Sequence, residues 1–150
     1  IVANGKVYGI DYSGLSVKSS EKLNSKNILC NKAKILQASV SDMPFDDNTF
    51  DNITAVETYY FWPDKENDVK EVFRVLKQGG TVMLLFEMLR TDDDPFKWEK
   101  VENMLNIKSV TPQEIRAVLE SAGFENINTY TKEGTTWLCA TAQKPKDDEN

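Results

Sequence analysis

Histidine is missing altogether from this sequence, and its 150 residues include only 2 cysteines. The first absence excludes histidine triads, histidine acid–base chemistry and His/Cys metal centres, so no metal site is expected. Cys30 and Cys139 lie far apart in different patterns, which reads as two reduced thiols in a cytoplasmic protein rather than a disulfide. Basic residues are outnumbered, 18 Lys and Arg against 24 Asp and Glu, for a net charge of −6. Nucleic-acid backbones want clustered cations, so that class of partner is disfavoured. No apolar run approaches the length a bilayer needs, and no membrane partner is expected. Chemistry here must run on carboxylates, tyrosines, lysines or positioning. The length suits one domain with a substantial core.

Strand and helix patterns alternate along the chain. Lys6–Asp11 reads as a strand after the turn residues Asn4 and Gly5, and Ser13 as the cap of a helix over 14–29 anchored by Leu15, Leu23, Ile28 and Leu29. Lys34–Ala38 and Asp51–Glu57 are the next strands. Asp64 caps a helix over 65–77 with an apolar stripe at Val69, Val72, Phe73 and Leu76, ended by Gln78, Gly79 and Gly80. Thr81–Met88 is nearly continuous apolar, which predicts a strand buried on both faces. Residues 91–110 form a charged insertion with Phe96, Trp98 and a short helix at 96–105. Thr111-Pro112-Gln113-Glu114 is a capping box opening a helix that stops at Gly123. Strands at 124–131 and 135–143, joined at Lys132-Glu133-Gly134, should pair antiparallel, and 144–150 reads as a disordered tail. The whole is an α/β fold: a mostly parallel sheet with a C-terminal antiparallel hairpin.

Parallel sheets bind ligands beyond the carboxyl ends of their strands. Asp11 sits at such an end, where a carboxylate can accept two hydrogen bonds from vicinal ribose hydroxyls, or can serve the adjacent helix N-terminus instead. Backbone groups at Ser39 and Val40 could read an adenine edge, while Asp42 reads as a solvated loop acid. "ETYYFWPD" (57–64) puts four aromatics in a row at a strand end. Successive side chains diverge, so Tyr59 or Tyr60 should line a pocket suited to a sulfonium or ammonium. Glu57 is the leading carboxylate for catalysis and Glu87 the second. The outer face of 65–77 is a solvated helix side with no function assigned. Asp11 and the Glu57 corner are expected to face one crevice.

The stretches "GIDYS" (9–13), "MPFDDNTFD" (43–51), "EVFRVLKQGGTVML" (71–84) and "LESAGFENI" (119–127) resemble class I S-adenosyl-methionine-dependent methyltransferases, in family order and spacing. The resemblance implies a Rossmann-like fold over 1–143 and methyl transfer from S-adenosyl-L-methionine to a small-molecule acceptor by in-line displacement. It implies that Asp11 holds the ribose hydroxyls and Tyr12 lies against the adenine. Ser39 and Val40 would bound the adenine edge, and Glu57 would approach the methionine portion, with Glu57 and Tyr59 as the catalytic candidates. The family often has an acid where Ser39 stands, which leaves backbone contacts there. The insertion at 91–110 becomes an acceptor pocket or lid.

The family's first strand and glycine-rich turn would precede Ile1 and are absent from this sequence. The chain is therefore expected to be a fragment of a longer product, with strands Lys6–Asp11 and Asp51–Glu57 lacking the neighbour between them. Unpaired edges of that kind favour a homodimer. Two other readings stay open: a fragment of a nicotinamide-dependent dehydrogenase, and a non-catalytic interaction module.

Overall fold

The computed structural model describes residues 5–91 and 98–146. The chain divides into two compact units, meeting at Pro44 and Phe45.

In the first unit, strand β1 (Val7–Asp11) is followed by helices α1 (Gly14–Leu23) and α2 (Ser25–Leu29) and strand β2 (Ala33–Gln37). The two strands pair in parallel, from Val7 opposite Ala33 to Asp11 opposite Gln37. Ser13 caps α1 through its hydroxyl, which accepts from the Ser16 N–H at 3.3 Å. The single helix expected over 14–29 is broken at Asn24, whose side-chain amide donates to the Ser20 carbonyl at 2.9 Å. An Asn competing for backbone in this way ends a helix locally. The expected anchors fail as well: Leu15, Leu23 and Leu29 are exposed, and Val17 is the one buried residue of α1.

The second unit holds strand β3 (Phe50–Val56), helix α3 (Lys65–Val75), strand β4 (Leu76–Phe86), helices α4 (Glu99–Leu105) and α5 (Pro112–Ser121), and strands β5 (Glu125–Thr131) and β6 (Leu138–Gln143). Its sheet order is β3-β4-β6-β5, with β3 and β4 parallel and the β6 pairings antiparallel. Val82, Leu84 and Phe86 of β4 and Leu138, Ala140 and Ala142 of β6 are buried, as are Val69, Val72 and Val75 of α3 and Ile115 and Leu119 of α5. The alternate β4 residues Thr81, Met83 and Leu85 are only half-buried, so the strand is fully covered on one face rather than two. Among the described residues β1 pairs only with β2 and β3 only with β4, which leaves the other edge of β1 and of β3 open.

Helix α3 ends two residues earlier than expected, because Leu76 turns to extended backbone (φ −80°, ψ 136°) and opens β4 at once. Gly79 and Gly80 are therefore not a helix stop. They form a bulge in β4, where the partner of Phe50 is Leu76 but the partner of Asn52 is Thr81. Gly79 has φ +72°, and a Cβ on Gly80 would lie 2.8 Å from the Lys77 carbonyl oxygen. Lys144, expected to open a disordered tail, is only 5% exposed. Its ammonium donates to the carbonyls of Phe73 and Leu76, both at 2.8 Å, and to Asn48 Oδ1 at 2.9 Å. A cation satisfying carbonyls at the end of α3 also opposes the helix dipole favourably.

Candidate active site

The residues expected to hold an adenosyl group come from the carboxyl ends of β1 and β2. Asp11 closes β1, and its Oδ1 accepts from the Ser13 N–H at 2.8 Å. Among the described residues its second oxygen is left for another donor. Tyr12 follows with its side chain 74% exposed. Its carbonyl is held by the Gln37 side-chain amide at 3.0 Å, a bond from one strand end to the next. Ser39 and Val40 form a tight turn closed by a bridge from Ser39 to Asp42. The Ser39 hydroxyl accepts from the Ser41 N–H at 3.1 Å, and Asp42 is exposed. Adjacent parallel strands thus bring these four residues together within one unit. The Ser13 bond shows that the acid serves the helix entry with one oxygen.

The second corner belongs to β3 and β4. Glu57 adopts φ +57°, a left-handed conformation that costs a non-glycine residue on the order of 1 kcal/mol or more. Its N–H still donates to the Leu85 carbonyl at 3.0 Å, so the ladder runs to the strained residue. The Glu57 Oε1 atom is buried with no hydrogen-bond partner among the described residues. Burial raises the pKa of this carboxyl above the usual glutamate value. The Glu87 backbone N–H offsets that in part, and the Glu87 charge adds to it.

The tyrosines that follow are both 4% exposed and both line a cleft of about 680 Å³. Tyr60 presents its hydroxyl to the strand ends, accepting from the Met88 N–H at 2.9 Å. Burial lifts its pKa to about 12, with the Glu57 and Glu87 charges adding to the rise. Tyr59 packs edge-on against Phe86, ring centroids 5.5 Å apart. Its pKa is likewise raised to about 12, by burial first and then by Glu114, Asp68 and Glu66 rather than by Glu57. Of the two tyrosines, Tyr60 is the one whose shift carries a contribution from the Glu57 charge.

The far wall of the cleft was not legible in the sequence. Arg90 follows β4, pairs with Glu114 and donates to the Ser109 carbonyl at 3.2 Å. Glu114 was counted only as half of a capping box, which it also completes by accepting from the Thr111 N–H at 2.8 Å. Burial raises its pKa, but the Thr111 bonds and Arg90 outweigh that and the net shift is downward. Glu102 of α4 accepts from the Ser109 N–H at 2.7 Å, and the Ser109 bonds lower its pKa. Glu102 and Asn103 of α4 and residues 106–110 line the cleft. Trp98 does not line it. Its indole N–H donates to the Leu89 carbonyl at 3.0 Å instead, and Phe96 lies outside the described residues. Asp68, fully buried in α3, also went unnoticed; its Oδ2 accepts from the Asp64 N–H at 3.0 Å.

Among the described residues no helix is long and apolar enough to cross a membrane.

Residues 2–84 match the methyltransferase domain family. An uncharacterised methyltransferase of Bacillus subtilis, YdaC, is 29% identical over 141 residues, spanning 93% of this chain and 70% of that protein. The ubiquinone/menaquinone biosynthesis C-methyltransferase UbiE of Cronobacter sakazakii is 32% identical over 154 residues, spanning 87% of this chain but 61% of the enzyme. A SAM-dependent methyltransferase of Aquifex aeolicus superposes with a TM-score of 0.74 at 22% identity, over 94% of this chain and 70% of that one. The chain belongs to the methyltransferase domain family and, within it, to the class I S-adenosyl-methionine-dependent methyltransferases, as the sequence resemblance implied.

Proposed function

We propose that the protein containing this chain transfers a methyl group from S-adenosyl-L-methionine to a small-molecule acceptor. The observation that carries this reading to particular residues is Glu57: a strained strand-end glutamate with one buried carboxylate oxygen unpartnered. A fold keeps such a group only where it is over-determined, and sites of that kind concentrate at ligand contacts.

The donor set suits the cofactor. Asp11 Oδ2 and the exposed ring of Tyr12 offer a ribose acceptor and an adenine face, with Ser39 and Val40 bounding the ring edge. When bound, S-adenosyl-methionine supplies an electrophilic methyl on a sulfonium whose leaving group needs no protonation. Alignment of the nucleophile contributes most to such a reaction. Glu57 holds the methionine amine or takes a proton from the acceptor, and burial keeps it a stronger base than an exposed glutamate. Tyr59 and Tyr60 form the aromatic wall, with their raised pKa values keeping both hydroxyls as donors.

The relatives favour neither a dehydrogenase nor a non-catalytic module. A dimer through the open edges of β1 and β3 is the partner reading, checked by solution mass. Free Cys30 and Cys139 support action in a reducing, cytoplasmic compartment.

The test is calorimetric titration with S-adenosylhomocysteine, using Asp11→Asn and Glu57→Gln in the protein as its gene encodes it. Losing the charge on Asp11 should weaken binding by roughly tenfold or more, the scale of a charge-assisted bond. Glu57→Gln should cut turnover at saturating acceptor. No binding by the unaltered protein would end the reading.

A further inference from the structure

The 680 Å³ cleft has a volume typical of small-molecule sites. Its walls supply an apolar surface from Tyr59, Ile115 and Val118 and a ring of polar groups. Several of those polar groups are already committed: Arg90 to Glu114 and the Ser109 carbonyl, and Glu102 to Ser109. Glu66, Asn103, Asn106 and Lys108 line the cleft as well, and so do the two donors Tyr59 and Lys65. Tyr59, 4% exposed, lines the cleft, and its hydroxyl makes no hydrogen bond with any described residue. The hydroxyl oxygen itself is not sealed from solvent, so the cleft is where this donor can be met. Beside it stands Lys65, whose ammonium lies 5.6 Å from the Tyr59 ring centroid. Its hydrogen bond to the Tyr60 carbonyl is long, at 3.5 Å. A charged donor over the Tyr59 ring and the hydroxyl of that ring thus belong to the same wall of the cleft.

We propose that this cleft binds a small apolar molecule through its carboxylate, with the Tyr59 hydroxyl and the Lys65 ammonium as the paired donors. Three acids stand near: Glu114, paired with Arg90, Asp68, whose Oδ2 accepts from the Asp64 N–H while its buried Oδ1 has no described partner, and the exposed Glu66. Burial first, and then these charges, keep the Tyr59 hydroxyl protonated, so it acts as a donor and not as a phenolate. The Lys65 ammonium is the charge that must offset them for a carboxylate to bind. The site names the acceptor class for the methyl-transfer reading above and takes its catalytic meaning from that reading. Binding itself stands apart from it.

Naphthoate, naphthylmethanol and naphthylmethylamine share one apolar body and differ in head-group charge, so fluorescence titration with the three tests the assignment. Naphthoate should bind about tenfold tighter than either comparator, and Tyr59→Phe and Lys65→Gln should each weaken it by about fivefold or more. Val118→Phe, which fills the apolar wall, should abolish binding while the folded circular-dichroism signal persists. Equal or tighter binding of the alcohol or the amine overturns the proposal. So does naphthoate binding that ignores all three substitutions. Titrating the same samples with S-adenosylhomocysteine separates the two readings: intact cofactor binding without naphthoate binding sinks only the cleft.

Discussion

The two strand-end corners are built on opposite terms. At the corner carrying Asp11 the backbone is relaxed, Tyr12 is open to solvent, and the surrounding helices bury almost nothing. At the corner carrying Glu57 the backbone is left-handed, both tyrosines are sealed to 4% exposure, and an acid oxygen is left without a partner. The first is a ledge on a thin unit, held by local turns. The second is anchored in the main core through Phe86, which meets both tyrosine rings edge-on. Recognition of a flat, polar ligand needs donors and acceptors on a turn. A perturbed carboxylate needs a scaffold rigid enough to keep it buried.

The sharpest way to break this contrast is to remove core from each side. Phe86→Ala should cost roughly 3–5 kcal/mol in denaturant unfolding, whereas Leu29→Ala should stay within about 0.5 kcal/mol. A similar loss at both positions would erase the distinction. Next comes Lys144→Met, which strips the carbonyls of Phe73 and Leu76 of their donor and should cost roughly 1–3 kcal/mol in the same assay. The tyrosines then separate from each other. Tyr60→Phe orphans the Met88 N–H and should cost about 1–3 kcal/mol, while Tyr59→Phe removes a hydroxyl with no described partner and should leave stability within about 0.5 kcal/mol.

Glu57 adds a pH signature. Its folded-state pKa is raised, so protonation favours folding. That contribution is fully present below the ordinary glutamate value of 4.5 and is lost as pH rises through the raised value. Glu57→Gln should flatten unfolding stability across that window, and an unchanged slope would show the carboxyl to be solvated. The smallest expected effect is Lys77→Met, which breaks an exposed pair with Asp51 and should shift stability by less than about 0.5 kcal/mol.

Much of the fold was legible because period and punctuation agree. The capping box at Thr111 and Glu114, the Asp64 cap and the apolar strands all stand where local chemistry puts them. Position in the chain also marked Asp11 and Glu57 as strand-end acids. What was not legible depends on distant partners. Two glycines after an amphipathic run read as a helix stop, and only pairing with β3 shows that they bend a strand. Neighbouring tyrosines look equivalent in sequence, and the Met88 amide distinguishes them. Arg90, Glu114, Ser109 and Glu102 are ordinary polar residues until the chain folds back and makes them one wall. Lys144 looked like a tail because a charged run usually is one, and its acceptors lie about 70 positions upstream.

The strand order β3-β4-β6-β5 has a consequence for synthesis. Strand β6 follows β5 in the chain but lies between β5 and β4, so β5 must leave the ribosome and wait without a ladder partner while β4 keeps a bare flank. Both are satisfied only when residues 138–143 emerge. One residue later Lys144 arrives to seat its ammonium at the end of α3. The described sheet therefore waits on β6, and a nascent chain halted short of that point exposes two strand edges to the chaperones and neighbouring chains around it.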